Sequence, residues 1–125
     1  MGTFSATVRN AWLDALARNI SYANGAVWVQ LHIGDPGAAG TTNPAVETTR
    51  QQATFGAAAA LGAISNTAAI EWTLVAASET YTHVSLWSAS TAGTFLGSDD
   101  LSFTAAVNAG DTFRIPIGDL DLGIN

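Results

Sequence analysis

The sequence predicts a mainly β protein: an antiparallel β-sandwich or barrel with one N-terminal amphipathic helix packed on it. Three observations lead there. Apolar residues recur with a helical period only near the N-terminus. After Gly25 the period changes to two. Short alternating runs then follow one another, separated by Gly-, Asn- and Asp-rich turns.

The helix is read over residues 5–21. Val8, Trp12, Leu16 and Ile20 recur every four residues, with Leu13 and Ala15 widening the stripe. Ser5 is placed as its N-cap, Asp14 and Arg18 pair one turn apart, and Asn24-Gly25 stops it. A membrane-surface role is disfavoured because the polar face carries few cations.

The β-rich body is read over residues 26–125. Val27, Val29, Leu31 and Ile33 point one way, and Trp28, Gln30 and His32 the other. Gly34 to Pro44 is a loop rich in Gly, Pro, Asp, Asn and Thr. Thr48 to Phe55 is a strand whose glutamines suit an exposed or interfacial face. Gly56 to Asn66 is an Ala/Gly connection, in which the alanines favour helix and Gly62 opposes it. Ile70, Trp72 and Leu74 alternate as a strand. Thr82–Trp87 and Thr94–Leu96 form a hairpin about Ala89–Gly93, and Leu101–Val107 and Thr112–Ile117 a second about Asn108–Asp111. There is no linker and no repeat, so residues 1–125 form one domain.

Composition narrows function by exclusion. Charged residues are only 11 % of the chain, the net charge is −6, and the four basic residues are all arginine: Arg9, Arg18, Arg50 and Arg114. Phosphate neutralisation needs a basic patch, so neither nucleic acid nor an anionic membrane is an expected partner. A surface this poor in charge is expected to be covered by neighbouring subunits, since interface cores are depleted in charge. With no cysteine, thiol catalysis and cysteine-ligated zinc are excluded. Arg9, Asp14 and Arg18 interrupt any signal-peptide core, and the longest apolar stretch, Ala57 to Ile64, is too short to span a bilayer.

No reactive constellation emerges. Gly34-Asp-Pro-Gly-Ala-Ala-Gly40 is a turn, neither a collagen stalk nor a phosphate cradle. His32 and His83, with Asp35, Glu47 or Glu71, lack metal-ligand spacing and read as packing residues. Asp99-Asp100 and Asp119/Asp121 read as solvated turn or strand acids rather than a glycosidase pair. No serine sits in a nucleophile elbow. The expectation is therefore no enzyme, no metal and no cofactor. Trp12 and Trp72 are assigned to the core by period. Trp28 and Trp87, opposite the aliphatics of their strands, are interface candidates with Gln30, Asp35 and Pro36.

One resemblance carries more than these exclusions. Leu31, His32, Asp35, Pro36 and Gly37 are followed by Glu47, Arg50, Gln51 and Phe55. Then come Thr82, His83, Val84, Leu86 and Trp87, the run Gly93-Thr-Phe-Leu-Gly97, and Ala109-Gly-Asp-Thr112. In this order the chain resembles small tailed-phage virion proteins of the tail-fibre or minor-tail type. Ile33 stands where threonine is usual, and Thr48 where an aromatic usually precedes the arginine. The resemblance implies a structural protein of the virion that acts by assembly with other virion proteins, as a homo-oligomer, here taken as a trimer. A capsid decoration protein is the alternative. A host-recognition module that stacks Trp28 or Trp87 on surface glycans is the second.

Overall fold

The computed structural model describes residues 3–57 and 62–123. Its strands are β1 (Thr3–Phe4), β2 (Val27–His32), β3 (Gln51–Ala53), β4 (Ala63–Ser65), β5 (Ile70–Trp72), β6 (Glu79–Trp87), β7 (Phe95–Val107), β8 (Phe113–Ile115) and β9 (Asp121–Gly123), with helix α1 over Ala6–Arg18. All pairings are antiparallel. Five strands form one sheet in the order β1-β7-β6-β2-β3, and β5-β8 and β4-β9 form two ribbons. The arrangement is open and sandwich-like, not a closed barrel.

The inner face of the large sheet follows from period two. Val29 and Leu31 on β2 stand beside Leu86 and Val84 on β6, and all four are buried. The β5-β8 ribbon adds Ile70, Trp72, Phe113 and Ile115 to the same core, and β9 adds Leu122. Trp72 and Tyr81 pack on Phe113 with ring centroids 5.8 and 5.1 Å away. Tyr81 reaches the core because the register shifts between Tyr81 and His83. That irregularity turns over the alternation, so Tyr81 and Val84 both point inward.

Side-chain amides and carboxylates tie the loops to this frame. Asn66, 2 % exposed, uses its whole carboxamide. Its Oδ1 accepts from the N–H groups of Gly118 and Leu120, and its Nδ2 donates to the carbonyls of Ala68 and Pro116. Glu79 accepts from the N–H groups of Val46 and Glu47. Glu47, itself buried, accepts from those of Thr49 and Ala76. Burial, with Glu79 and Glu47 alongside, pushes the Tyr81 phenol up to about 12.

Several local expectations are corrected. The helix is capped by Ser5, whose Oγ accepts from the N–H of Val8 at 3.3 Å, and Asp14 and Arg18 pair at 3.2 Å. It ends earlier than expected, at Asn19, which takes a left-handed conformation (φ 55°) and donates its N–H to the carbonyl of Asp14. Only its first half lies on the sheet. Val8 is buried and Trp12, half-buried, meets Phe4 edge-on at 4.6 Å. Leu16 and Ile20, in the same sequence stripe, are 85 % and 46 % exposed. The sheet ends on this side at β1, an edge strand of two residues.

The strand expected from Thr48 to Phe55 contracts to Gln51–Ala53, with Phe55 forming an isolated bridge to Asn66. Within the Gly56–Asn66 connection, Ala63–Ser65 is a strand paired with β9; residues 58–61 of that connection lie outside the described residues. Leu74 does not continue the β5 alternation. It takes a left-handed conformation (φ 54°) and lies exposed, and Val75 fills the buried position. The Ala89–Gly93 hairpin forms, with the Ser88 N–H donating to the Thr94 carbonyl at 3.1 Å.

The Asn108–Asp111 turn also forms, but it closes no hairpin. β7 pairs with β6 and β8 with β5, so the turn carries the chain from the sheet to a ribbon. Asp111 N–H donates to the Asn108 carbonyl within the turn, and the Gly110 N–H and the Asp111 carbonyl bond Val75. Asp99 and Asp100 do point to opposite faces, yet Asp99 is buried rather than solvated, and burial raises its carboxyl to about 6.

Candidate functional site

The outer face of the large sheet carries most of the polar and aromatic side chains singled out in the sequence. Strand register places them in rows. Gln52, Trp28, Trp87 and Phe95 form one row across β3, β2, β6 and β7. Gln30, Ser85 and Ser98 form the next, and His32, His83 and Asp100 the third. Period two dictates this segregation, because each of these positions alternates with a core residue.

Arg50, immediately before β3, binds across the first two rows. Its Nε donates to Gln30 Oε1 at 3.1 Å, and its Nη1 to the carbonyls of Ala89 and Ala92 at 2.9 and 2.7 Å. The guanidinium lies 4.2 Å from the centre of the Trp87 ring. One arginine thus fastens the β6–β7 turn to β2. Trp87 also meets Phe95, at 5.4 Å between centroids.

A second chain of polar contacts runs beneath this. His32 is 0 % exposed. Its Nδ1 lies 2.8 Å from the Thr42 carbonyl, and its Nε2 lies 2.7 Å from Ser85 Oγ. Trp87 Nε1 donates to the same Oγ at 2.7 Å. His83, next to His32 across the strands, lies 2.8 Å from Thr82 Oγ1 and 3.0 Å from Asp100 Oδ1. Asp100 is 82 % exposed, so this is a surface contact on an open strand and not an enclosed acid–base set.

The segment 34–44 folds back over the outer face as a flap. Its stem pairs with β2 through Ile33 N–H to the Asn43 carbonyl and Ala45 N–H to the Leu31 carbonyl. Its turn is an Asx turn, with Gly37 N–H donating to Asp35 Oδ1 at 2.9 Å. Gly40 (φ 75°) lies so close to Phe95 that a Cβ there would overlap the ring. Between the flap and the start of the helix runs a groove of about 240 Å³, lined by Phe4, Arg9, Gly37, Ala38, Phe95 and Ser98 among others.

The interface candidates therefore have unequal placements. Trp28 and Gln30 are half-buried on the outer face, and Asp35 is exposed on the flap. Pro36 and Trp87 are buried within the chain, one by the flap's own fold and the other beneath Arg50. Sequence reasoning missed Arg50 as the central contact of this face. Its signal was one of four arginines in a chain without lysine, immediately preceding two glutamines. It also missed the exposed helix positions Leu13 and Leu16, which the helical stripe had assigned to the core.

Among the described residues, no group of three or more His, Cys, Asp or Glu side chains is placed to hold a metal ion. No curated protein is matched by the chain. The family model described as podophage GP4 fiber I protein gp80 matches residues 3–123. The residues of the outer face, the flap and the Arg50 clamp all fall within that match, and the chain belongs to this family of podophage fibre proteins, components of the virion.

Proposed function

We propose that this chain is a structural subunit of a podophage tail fibre that works by binding copies of itself and other virion proteins, not by catalysis. One observation carries the reading most directly. Leu13 and Leu16 on α1 are 62 % and 85 % exposed, and Ile20 just past its end is 46 % exposed. Side chains three and four residues apart on a helix share a face, so Leu13 and Leu16 make one apolar surface in a chain that carries few charges. The half-buried Trp28 and Gln30, with Asp35 of the flap, are proposed as a second contact zone on the outer face.

A contact built on this surface draws little on ion pairs, so its strength changes little with salt. Sedimentation of the purified protein at low and high salt tests the reading. The expected result is an oligomer, proposed as a trimer, at both salt concentrations, and a folded monomer for Leu16→Asp. A wild-type protein that stays monomeric at high concentration, and fails to bind particles lacking it, overturns the reading. Mass spectrometry of separated tails and heads checks the location. Recovery from heads alone would favour a capsid decoration role.

A further inference from the structure

The outer-face flap is fastened by a side chain whose protonation state is dictated by its partners. The Thr42 carbonyl only accepts, so His32 Nδ1 carries the hydrogen and donates it at 2.8 Å. Nε2 is then the lone-pair nitrogen and accepts the Ser85 hydroxyl at 2.7 Å. Ser85 Oγ in turn accepts from Trp87 Nε1–H, which is a donor only. Every role in the chain Trp87–Ser85–His32–Thr42 is thereby assigned, and only a neutral imidazole satisfies all of them. Pro44, opposite His32 in the returning leg of the flap, has no N–H to offer β2. The imidazole supplies the side-chain bond between sheet and flap at that point.

We propose that His32 is an acid-released latch: taking up a proton at Nε2 frees the Gly34–Pro44 flap from the outer face and bares Phe95, against which Gly40 packs.

The proton has one place to go, the Nε2 lone pair. Once there it points at Ser85 Oγ, which can accept it on its second lone pair beside Trp87, but the Ser85 hydrogen loses its acceptor. The cation would sit at a fully buried position. The charged and titratable groups on the surrounding elements do not compensate. His83 faces His32 from β6 and adds repulsion when charged. Asp100 on β7 is engaged with His83. Asp35 is the only charged residue of the flap, and its Oδ1 accepts from Gly37. Arg50 is held at Gln30, the neighbouring row. Burial lowers the affinity of His32 for a proton below the ordinary value of 6.5, against the pull of the Thr42 and Asn43 carbonyls. The fastened state is therefore complete above that value and is lost as pH falls through and below it.

Nuclear magnetic resonance on the full chain between pH 8 and pH 5 tests this. At pH 8 the imidazole nitrogens of His32 are expected to report the Nδ1–H form. As His32 takes up its proton, exchange protection at the N–H groups of Ile33 and Thr42 falls by about tenfold or more, while Val29 and Leu86 in the core keep theirs. In His32→Gln, whose amide donates to Thr42 without titrating, flap protection is expected to be independent of pH. In His83→Gln the transition persists. Three results each overturn the proposal: an Nε2–H form at pH 8, flap and core amides losing protection together, or a transition abolished by His83→Gln. If His32→Gln does not fold, the wild-type imidazole and amide signals decide alone.

Discussion

Arg50→Ala tests whether one arginine organises the outer face. The substitution removes three hydrogen bonds, to Gln30 and to the Ala89 and Ala92 carbonyls, and the contact with the Trp87 ring. The Ala92 contact is exposed and the other two hydrogen bonds are partly buried, so each is valued at about 0.5–1 kcal/mol rather than as a buried ionic bond. The cation–π contact adds about 0.5–1 kcal/mol. The expected loss is about 2–4 kcal/mol. Arg50→Lys keeps a cation near Trp87 but has no planar fork to reach a side chain and two carbonyls together, and should restore only about 1 kcal/mol. Urea denaturation gives the free energies, with an unchanged slope showing that the unfolded states match. Exchange protection at the Ser88 and Thr94 N–H groups locates the damage at the β6–β7 turn. Refutation is an Arg50→Ala protein within about 0.5 kcal/mol of wild type, or a lysine variant as stable as the parent.

The other expectations rest on single features. Asn66→Ala removes four hydrogen bonds and leaves the buried Leu120 N–H short of a partner, while the Gly118 N–H and the Pro116 carbonyl keep backbone partners, and should cost about 2–4 kcal/mol; Asn66→Asp, which sets a carboxylate against the Ala68 and Pro116 carbonyls, should be at least as damaging at pH 7 and should improve on acidification. Thermal melts of the two variants across pH check both statements. Gly40→Ala places a Cβ in the Phe95 ring at a positive φ, so it should loosen the flap, read as higher protease sensitivity between Gly34 and Pro44 with the core intact. Asp99, raised by burial from 3.8 to about 6, binds its proton more tightly in the folded chain than in the unfolded one. Its contribution is full below about pH 4 and is lost as pH rises through 6, by up to about 3 kcal/mol. Asp99→Asn should therefore be more stable than wild type at pH 7, with the difference vanishing at pH 4, as denaturation at the two pH values would measure.

The split between what the chain announces and what only packing decides is visible in individual residues. Alternation alone was enough to separate Val29, Leu31, Val84 and Leu86 from Trp28, Gln30, His32 and Trp87, because period two is a property of the extended backbone. The Ser5 cap, the Asp14–Arg18 pair and the Ala89–Gly93 turn were legible for the same reason: each joins residues only a few positions apart. The resemblance to tail-fibre-type phage proteins agrees with the fibre family to which the chain belongs. Period could not say which sheet a strand joins. Thus the Asn108–Asp111 turn looked like a hairpin and is a crossing between sheet and ribbon. Nor could it say how far a partner surface extends, so Leu16 carries the core pattern and is 85 % exposed. The Arg50 clamp and the long-range bonds of Asn66 join segments 20 to 54 residues apart, and the flap's closure sets Gly40 against Phe95, more distant still. Those contacts exist only once the chain has closed such loops, and no local pattern encodes them.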